Sequence, residues 1–152
     1  MTSSLITLIQ RNDLLSYDQL HRLNAHIDQS DESIFALLSK LECPIHQPLA
    51  TLIARELELK LVELKSFHYR AVIETLNLHQ LSLHHQAIPI LLAENTLQVA
   101  VADDSRVSVL EDFRFASGFN TELVIANWLD IQQALHTLSE STATSSAVRN
   151  QV

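Results

Sequence analysis

Residues 87–138 read AIPILLAENTLQVAVADDSRVSVLEDFRFASGFNTELVIANWLDIQQALHTL, and this stretch decides the fold. Ile88-Pro89-Ile90-Leu91-Leu92 is a short apolar strand, followed by a turn at Ala93-Glu94-Asn95. Leu97, Val99 and Val101 then alternate with Gln98 and Ala100, the period-2 pattern of a half-buried strand. Ser105 is placed to cap a helix carrying Val109, Leu110, Phe113 and Phe115, and Gly118 stands where that helix should stop. Leu123-Val124-Ile125 is a further strand, and Asn127 caps a last helix with Trp128, Ile131, Leu135 and Leu138 at helical spacing. Strand, turn, strand, helix, strand, helix is a compact α+β unit, and no part of it carries the pattern of an active site.

Upstream, the first sixty residues predict four helices. The first covers about Ser3–Gln10. The second begins at Ser16, with Gln19 completing a capping box, and carries Leu20, Leu23 and Ile27. The third starts near Ser30-Asp31 and carries Ile34, Leu37, Leu38 and Leu41; the fourth follows Pro48 and carries Leu49, Leu52, Ile53 and Leu57. Leu61–Leu64 is expected as a short strand, with Phe67–Leu76 and Leu78–His85 helical. The fold class is therefore α+β: a four-helix subdomain over 1–58, a small mixed sheet packed with helices over 59–138, and a linker or tail over 139–152. The tail, SESTATSSAVRNQV, is polar and Ser/Thr-rich without apolar periodicity. Offset by 29 residues, Leu5 meets Ile34, Ile9 meets Leu38 and Leu20 meets Leu49, so the two helix pairs form a worn tandem repeat.

Composition limits the chemistry. The formal net charge is −8, which argues against a nucleic-acid footprint and against a polybasic membrane patch. Cys43 is the single cysteine, so no disulfide forms within the chain, in keeping with a reducing cytoplasm. The start MTSSLITLIQRND lacks a basic n-region and has only a brief apolar stretch, so no signal peptide is expected, and no apolar run approaches 18 residues. Gly118 is the single glycine. Phosphate loops need glycine where backbone N–H groups approach the anion, so a Walker A loop, a dinucleotide fingerprint and a Gly-x-Ser-x-Gly elbow are all excluded. His79, His84 and His85 do not share a helix face suited to metal. Asp103-Asp104 with Glu111-Asp112 is an acidic group, but the first two precede a helix, where the macrodipole favours negative charge. No catalytic, cofactor or metal residue emerges, and the chain reads as a non-enzyme.

The order Pro89, Leu97, Val99, Ala100, Ala102, Asp103, Leu110, Asp112, Phe113, Phe115, Gly118 resembles the N-terminal region of the traffic ATPases that drive type IV pilus assembly and type II secretion. The likeness covers roughly residues 4–138, and Asp104 stands where the family usually has proline. By this resemblance the chain is the N-terminal piece of a longer ATPase whose motor, with ATP and Mg, lies elsewhere. Many such ATPases carry a tandem repeat of this spacing that in some members binds cyclic di-GMP, with an Arg-Leu-Gly, a second Gly and a terminal Gln. Here those positions hold Ser4-Leu5-Ile6 and Ser33-Ile34-Phe35, then Asp13 and Glu42, then Ile27 and Glu56. Losing two Arg–phosphate bonds costs about 3–6 kcal/mol, roughly 10²–10⁴ in affinity, so cyclic di-GMP binding is expected to be lost. Ile6 and Phe35 either fill the vacated groove or extend a surface patch, and Trp128 is either core or an interface anchor. The expected function is a non-catalytic docking and regulatory domain. It would bind a PilZ-type adaptor or an inner-membrane platform protein, be cytoplasmic and peripherally associated with the inner membrane through partners, and become hexameric only through the motor. The alternatives are a cyclic-dinucleotide receiver and a stand-alone adaptor.

Overall fold

The computed structural model describes the backbone of residues 2–29, 33–102 and 106–151, and side chains from 6–29, 33–102 and 108–139. Four helices come first: α1 (Thr2–Arg11), α2 (Tyr17–Ile27), α3 (Ile34–Lys40) and α4 (His46–Leu57). Ser16 caps α2 with the anticipated capping box, its Oγ accepting from Gln19 N while Gln19 Oε1 accepts from Ser16 N. The third helix begins later than the sequence indicated. Ser33, not Ser30 or Asp31, is its cap, with Oγ accepting from Ala36 N at 3.2 Å, and Leu41 closes rather than extends it; residues 30–32 lie outside the described residues. The fourth begins earlier, at His46, with Pro48 inside its first turn, where a missing N–H leaves no bond unmade.

The second part holds a 3-10 turn at Leu64–Ser66, α5 (Tyr69–Leu76), α6 (His79–His85), β1 (Ile88–Ala93), β2 (Thr96–Val101), α7 (Arg106–Ser117), β3 (Asn120–Ile125) and α8 (Trp128–Gln151). The sheet order is β1-β2-β3, antiparallel between the first two and parallel between the last two across the α7 crossover. It is the mixed sheet expected. The β1–β2 hairpin closes on Glu94-Asn95, both with positive φ (51° and 65°), the backbone twist a two-residue hairpin favours. Pro89 sits on the edge strand, beside a register shift between Pro89 and Leu91, where a missing donor is tolerated.

Several expectations are corrected here. Leu61–Leu64 is not a strand: only Leu61 bridges Ile125, with Val62 N and Lys60 O both bonded to Ile125, after which the chain turns into the 3-10 helix. Phe115 is not on the buried face of α7 but 93% exposed. At 100° per residue it lies some 200° around from the buried Phe113, which shares its face with Val109 one turn back. The fifth helix begins at Tyr69, two residues later than expected, because Phe67 is extended where it closes the 3-10 turn. Asn127 Oδ1 accepts from Leu129 N at 2.8 Å at the head of α8, and Gly118 (φ +79°) closes α7 with its N–H on Arg114 O. Ser105, the expected cap of α7, lies outside the described residues. The backbone of α8 stays helical to Gln151, through most of the stretch read as a linker.

One core runs through both parts. It joins Ile9, Leu23, Leu37, Leu38, Leu49 and Ile53 of the helices to Ile88, Leu97, Val99, Phe113, Val124 and Ile131 of the α+β part. α4 packs on β3 and α8, and α6 packs on α7 and α8.

Candidate protein interface

The tandem repeat is legible in the backbone. In α1, Asn12 N bonds Leu8 O, Asp13 N bonds Gln10 O and Leu14 N bonds Ile9 O. In α3, 29 residues on, Leu41 N bonds Leu37 O, Glu42 N bonds Ser39 O and Cys43 N bonds Leu38 O. Both ends are Schellman closures, and the residue that must take the left-handed conformation is Asp13 (φ 51°) in one and Glu42 (φ 57°) in the other. α2 and α4 start in the same register, at Tyr17 and His46. The backbone course of the repeat thus survives without glycine. What has changed is chemical: a carboxylate sits on each left-handed turn, where it repels phosphate.

The second repeat is covered. Phe35, 3% exposed, stacks on Trp128 (centroids 6.2 Å apart, planes 10° apart), and Trp128 stacks in turn on His46 at 5.6 Å and 22°. Such ring pairs add about 0.5–1.5 kcal/mol each beyond area burial. His46 Nε2 donates to Phe35 O at 3.0 Å. A carbonyl only accepts, so Nε2 carries a proton, while Nδ1 is buried with no partner. Beside the rings, Asn127 Nδ2 donates to Gln47 Oε1 at 2.9 Å. The head of α8 therefore clasps α3 and α4 by one aromatic ring and one amide. A polar cleft of about 460 Å³ opens next to the clasp, lined among others by Gln47, Glu63, Lys65, Tyr69, Asn127 and Asp130.

Among the described residues the first repeat has no such cover. Ile6, equivalent to Phe35, is half-buried against the core. Tyr17, equivalent to His46, is 83% exposed and stacks only on His21 of its own helix at 6.4 Å. Asp18 stands where Gln47 stands in the second repeat and is exposed. Across the repeats, Arg11 and Glu56 form an exposed ion pair at 3.8 Å, a contact of small energetic weight. Of the three residues singled out from sequence, Phe35 and Trp128 are brought into ring contact, and Ile6 packs half-buried against the common core. Phe35 spends its ring on an internal contact. His46 and Gln47 escaped the sequence reading and Asn127 was read there as a helix cap alone, although the 29-residue offset pairs His46 with Tyr17 and was the signal available.

Two of the remaining candidates bond each other. His85 Nε2 bonds Asp112 Oδ2 at 2.7 Å, tying α6 to α7, and His84 packs edge-on against His85. Among the described residues no group of three or more His, Cys, Asp or Glu is placed to hold a metal ion. Cys43 is buried, and Asp103 and Asp104 lie outside the described residues. No helix among the described residues is long and apolar enough to cross a membrane.

A four-helix tandem repeat clasped to a small three-stranded mixed sheet places the chain among α+β domains. The MshEN domain family matches residues 57–145, more than half of the chain, and the chain belongs to that family. It is 25% identical over 135 residues to the type IV pilus assembly ATPase PilB of Myxococcus xanthus (strain DK1622), an alignment that takes in 89% of this chain and 24% of that relative. The chain thus spans about a quarter of the curated relative's length. It corresponds to the N-terminal domain and not to the motor. Its fold is similar to that of MshE, solved as MshE with cdg, at a TM-score of 0.64 and 18% identity, covering 88% of this chain and 97% of that one. It is also similar to the N-terminal domain of XpsE, at a TM-score of 0.62 and 16% identity, covering 87% and 91%. The resemblance read from residues 87–138 is upheld.

Proposed function

We propose that this domain is the non-catalytic docking and regulatory module of a traffic ATPase of the type IV pilus kind. In this reading it links the motor to a PilZ-type adaptor or to the cytoplasmic face of an inner-membrane platform protein, and it reaches the membrane only through that partner. The observation that carries the reading is the alignment of 89% of the chain with one quarter of PilB. Two features support surface docking over ligand binding. The second repeat's groove is filled by Phe35 and closed by Trp128, and both left-handed turns bear carboxylates. ATP and Mg belong, in this reading, to the motor alone.

A second reading is a cyclic-dinucleotide receiver. It is favoured by the retention of both left-handed turns in the register of the repeat and by the similarity in fold to MshE, solved with cdg. Calorimetry of the 152-residue chain with cyclic di-GMP separates the two. The docking reading expects no saturable heat up to 100 μM, taken as roughly 10²-fold above a micromolar Kd; micromolar binding overturns it. Size-exclusion chromatography with PilZ-type and platform cytoplasmic domains is expected to give a co-eluting complex. Failure with every such domain counts against docking.

A further inference from the structure

The two repeats close their first helices with the same backbone hydrogen bonds, and among the described residues only the second has a cover. In the second repeat the cover consists of two consecutive residues at a helix head: Asn127, donating to Gln47 Oε1, and Trp128, packed on Phe35 and His46. The equivalent residues of the first repeat are Asp18, Ile6 and Tyr17, with Tyr17 83% exposed and Asp18 exposed. Within the described residues neither Asp13 nor Asp18 forms an ion pair.

We infer that the Ile6–Tyr17–Asp18 face of the first repeat is the docking seat for a partner polypeptide that supplies what α8 supplies to the second: a donor residue followed by an aromatic residue at the head of a helix. The internal clasp specifies the geometry, and the charge specifies the difference. Where the second repeat offers a neutral amide oxygen to Asn127, the first offers a carboxylate at Asp18 with Asp13 nearby in sequence, so the partner's donor is cationic, an Arg or Lys ahead of its aromatic ring. A cationic donor on a carboxylate makes a stronger hydrogen bond than an amide on an amide. The aromatic ring has Tyr17 to stack on and Ile6 to bury. The same two carboxylates disfavour a nucleotide, whose base could stack on Tyr17 but whose phosphates would face like charge.

This inference rests on the docking reading above, and the experiment is built so that the two can fail separately. The probe is a synthetic peptide of residues 126–138 of this chain carrying Asn127→Arg, a copy of the clasp with the cation installed. It is titrated into the ¹⁵N-labelled 152-residue chain and followed by amide chemical shifts. Saturable shifts are expected at Ile6, Tyr17, Asp18 and His21, at least tenfold weaker binding by Tyr17→Ala and by Asp18→Asn, and weaker binding of the unsubstituted Asn127 peptide. No saturable shift overturns the inference. So do shifts centred on Phe35 and His46, which would mean displacement of α8, and equal binding by Tyr17→Ala. In a second arm the partner domains are run with the same variants. A complex that survives both Tyr17→Ala and Asp18→Asn unchanged leaves docking standing and sinks this seat. Absence of any complex sinks the docking reading while the peptide arm still decides the seat. Competition by cyclic di-GMP for the peptide would reassign the face to a nucleotide.

Discussion

Among the described residues the second helix pair ends in a covered face and the first in a bare one, although the backbone hydrogen bonds that close α1 and α3 repeat one for one at an offset of 29. Phe35 and His46 lie under Trp128; Ile6 and Tyr17 have no ring over them from elsewhere in the described chain. The difference shows that backbone register and surface function are separable in a repeat. Register is held by Schellman closures and apolar positions facing the core, which tolerate Asp13 and Glu42 in place of glycine. Function depends on what the outward residues meet.

The largest expected effect lies on the covered side. Phe35→Ala removes a buried ring and leaves a cavity under Trp128, and should cost about 3–5 kcal/mol. Ile6→Ala, at the half-buried equivalent position, should cost about 1–2 kcal/mol. Urea unfolding of both variants measures the gap. Equal losses would mean that the two repeats are equally covered, against the contrast drawn here. Trp128→Ala comes next, at about 2–3 kcal/mol for a half-buried anchor that also uncovers Phe35. Because it is the single tryptophan, circular dichroism must follow that variant, whereas fluorescence can follow the clasp in all others.

Caps and turns sharpen the comparison at smaller scale. Ser16 caps α2, while Ile45 occupies the corresponding place on α4 and makes no side-chain cap bond. Ser16→Ala should therefore cost about 1 kcal/mol by thermal unfolding. Asp13→Gly and Glu42→Gly should each raise stability by about 0.5–1 kcal/mol. Relief of a left-handed residue is worth about 1–2 kcal/mol, and the greater freedom of glycine in the unfolded chain takes part of it back. A loss of stability in either would show that these turns are held by their side chains rather than despite them.

The sequence displayed the α+β part well because its signals are local. Alternation at Leu97, Val99 and Val101, the Asn127 cap and Gly118 each act over a few residues. The four helices were also legible, though with shifted ends, since Ser30, Asp31 and Ser33 are all competent caps and only packing selects among them. Phe115 was misplaced because it is apolar, while its angle around α7 carries it away from the core. The clasp was the least visible part. Trp128 stood out by composition, but its seat joins residues 35, 46 and 128, and no local pattern encodes a contact across some ninety positions. His46 reads as an unremarked surface histidine until the 29-residue offset sets it beside Tyr17. A chain poor in glycine still keeps left-handed turns: Asp13, Glu42, Glu58, Asn77 and Gln86 all adopt positive φ. Scarcity of glycine limits how close a ligand can approach such a turn, not whether the turn forms.

The smallest expected change in stability belongs to Tyr17→Ala, within about 0.5 kcal/mol, because an exposed ring stacked on its own helix contributes little to folding. That near-silence makes it informative. On the docking inference, the use of this ring lies in what it meets. If Tyr17→Ala unfolds at the same temperature as the parent chain and loses partner binding, stability and recognition have been divided between the two repeats. If it unfolds several degrees lower, Tyr17 is packed in solution, the first repeat is covered as the second is, and the contrast between them disappears.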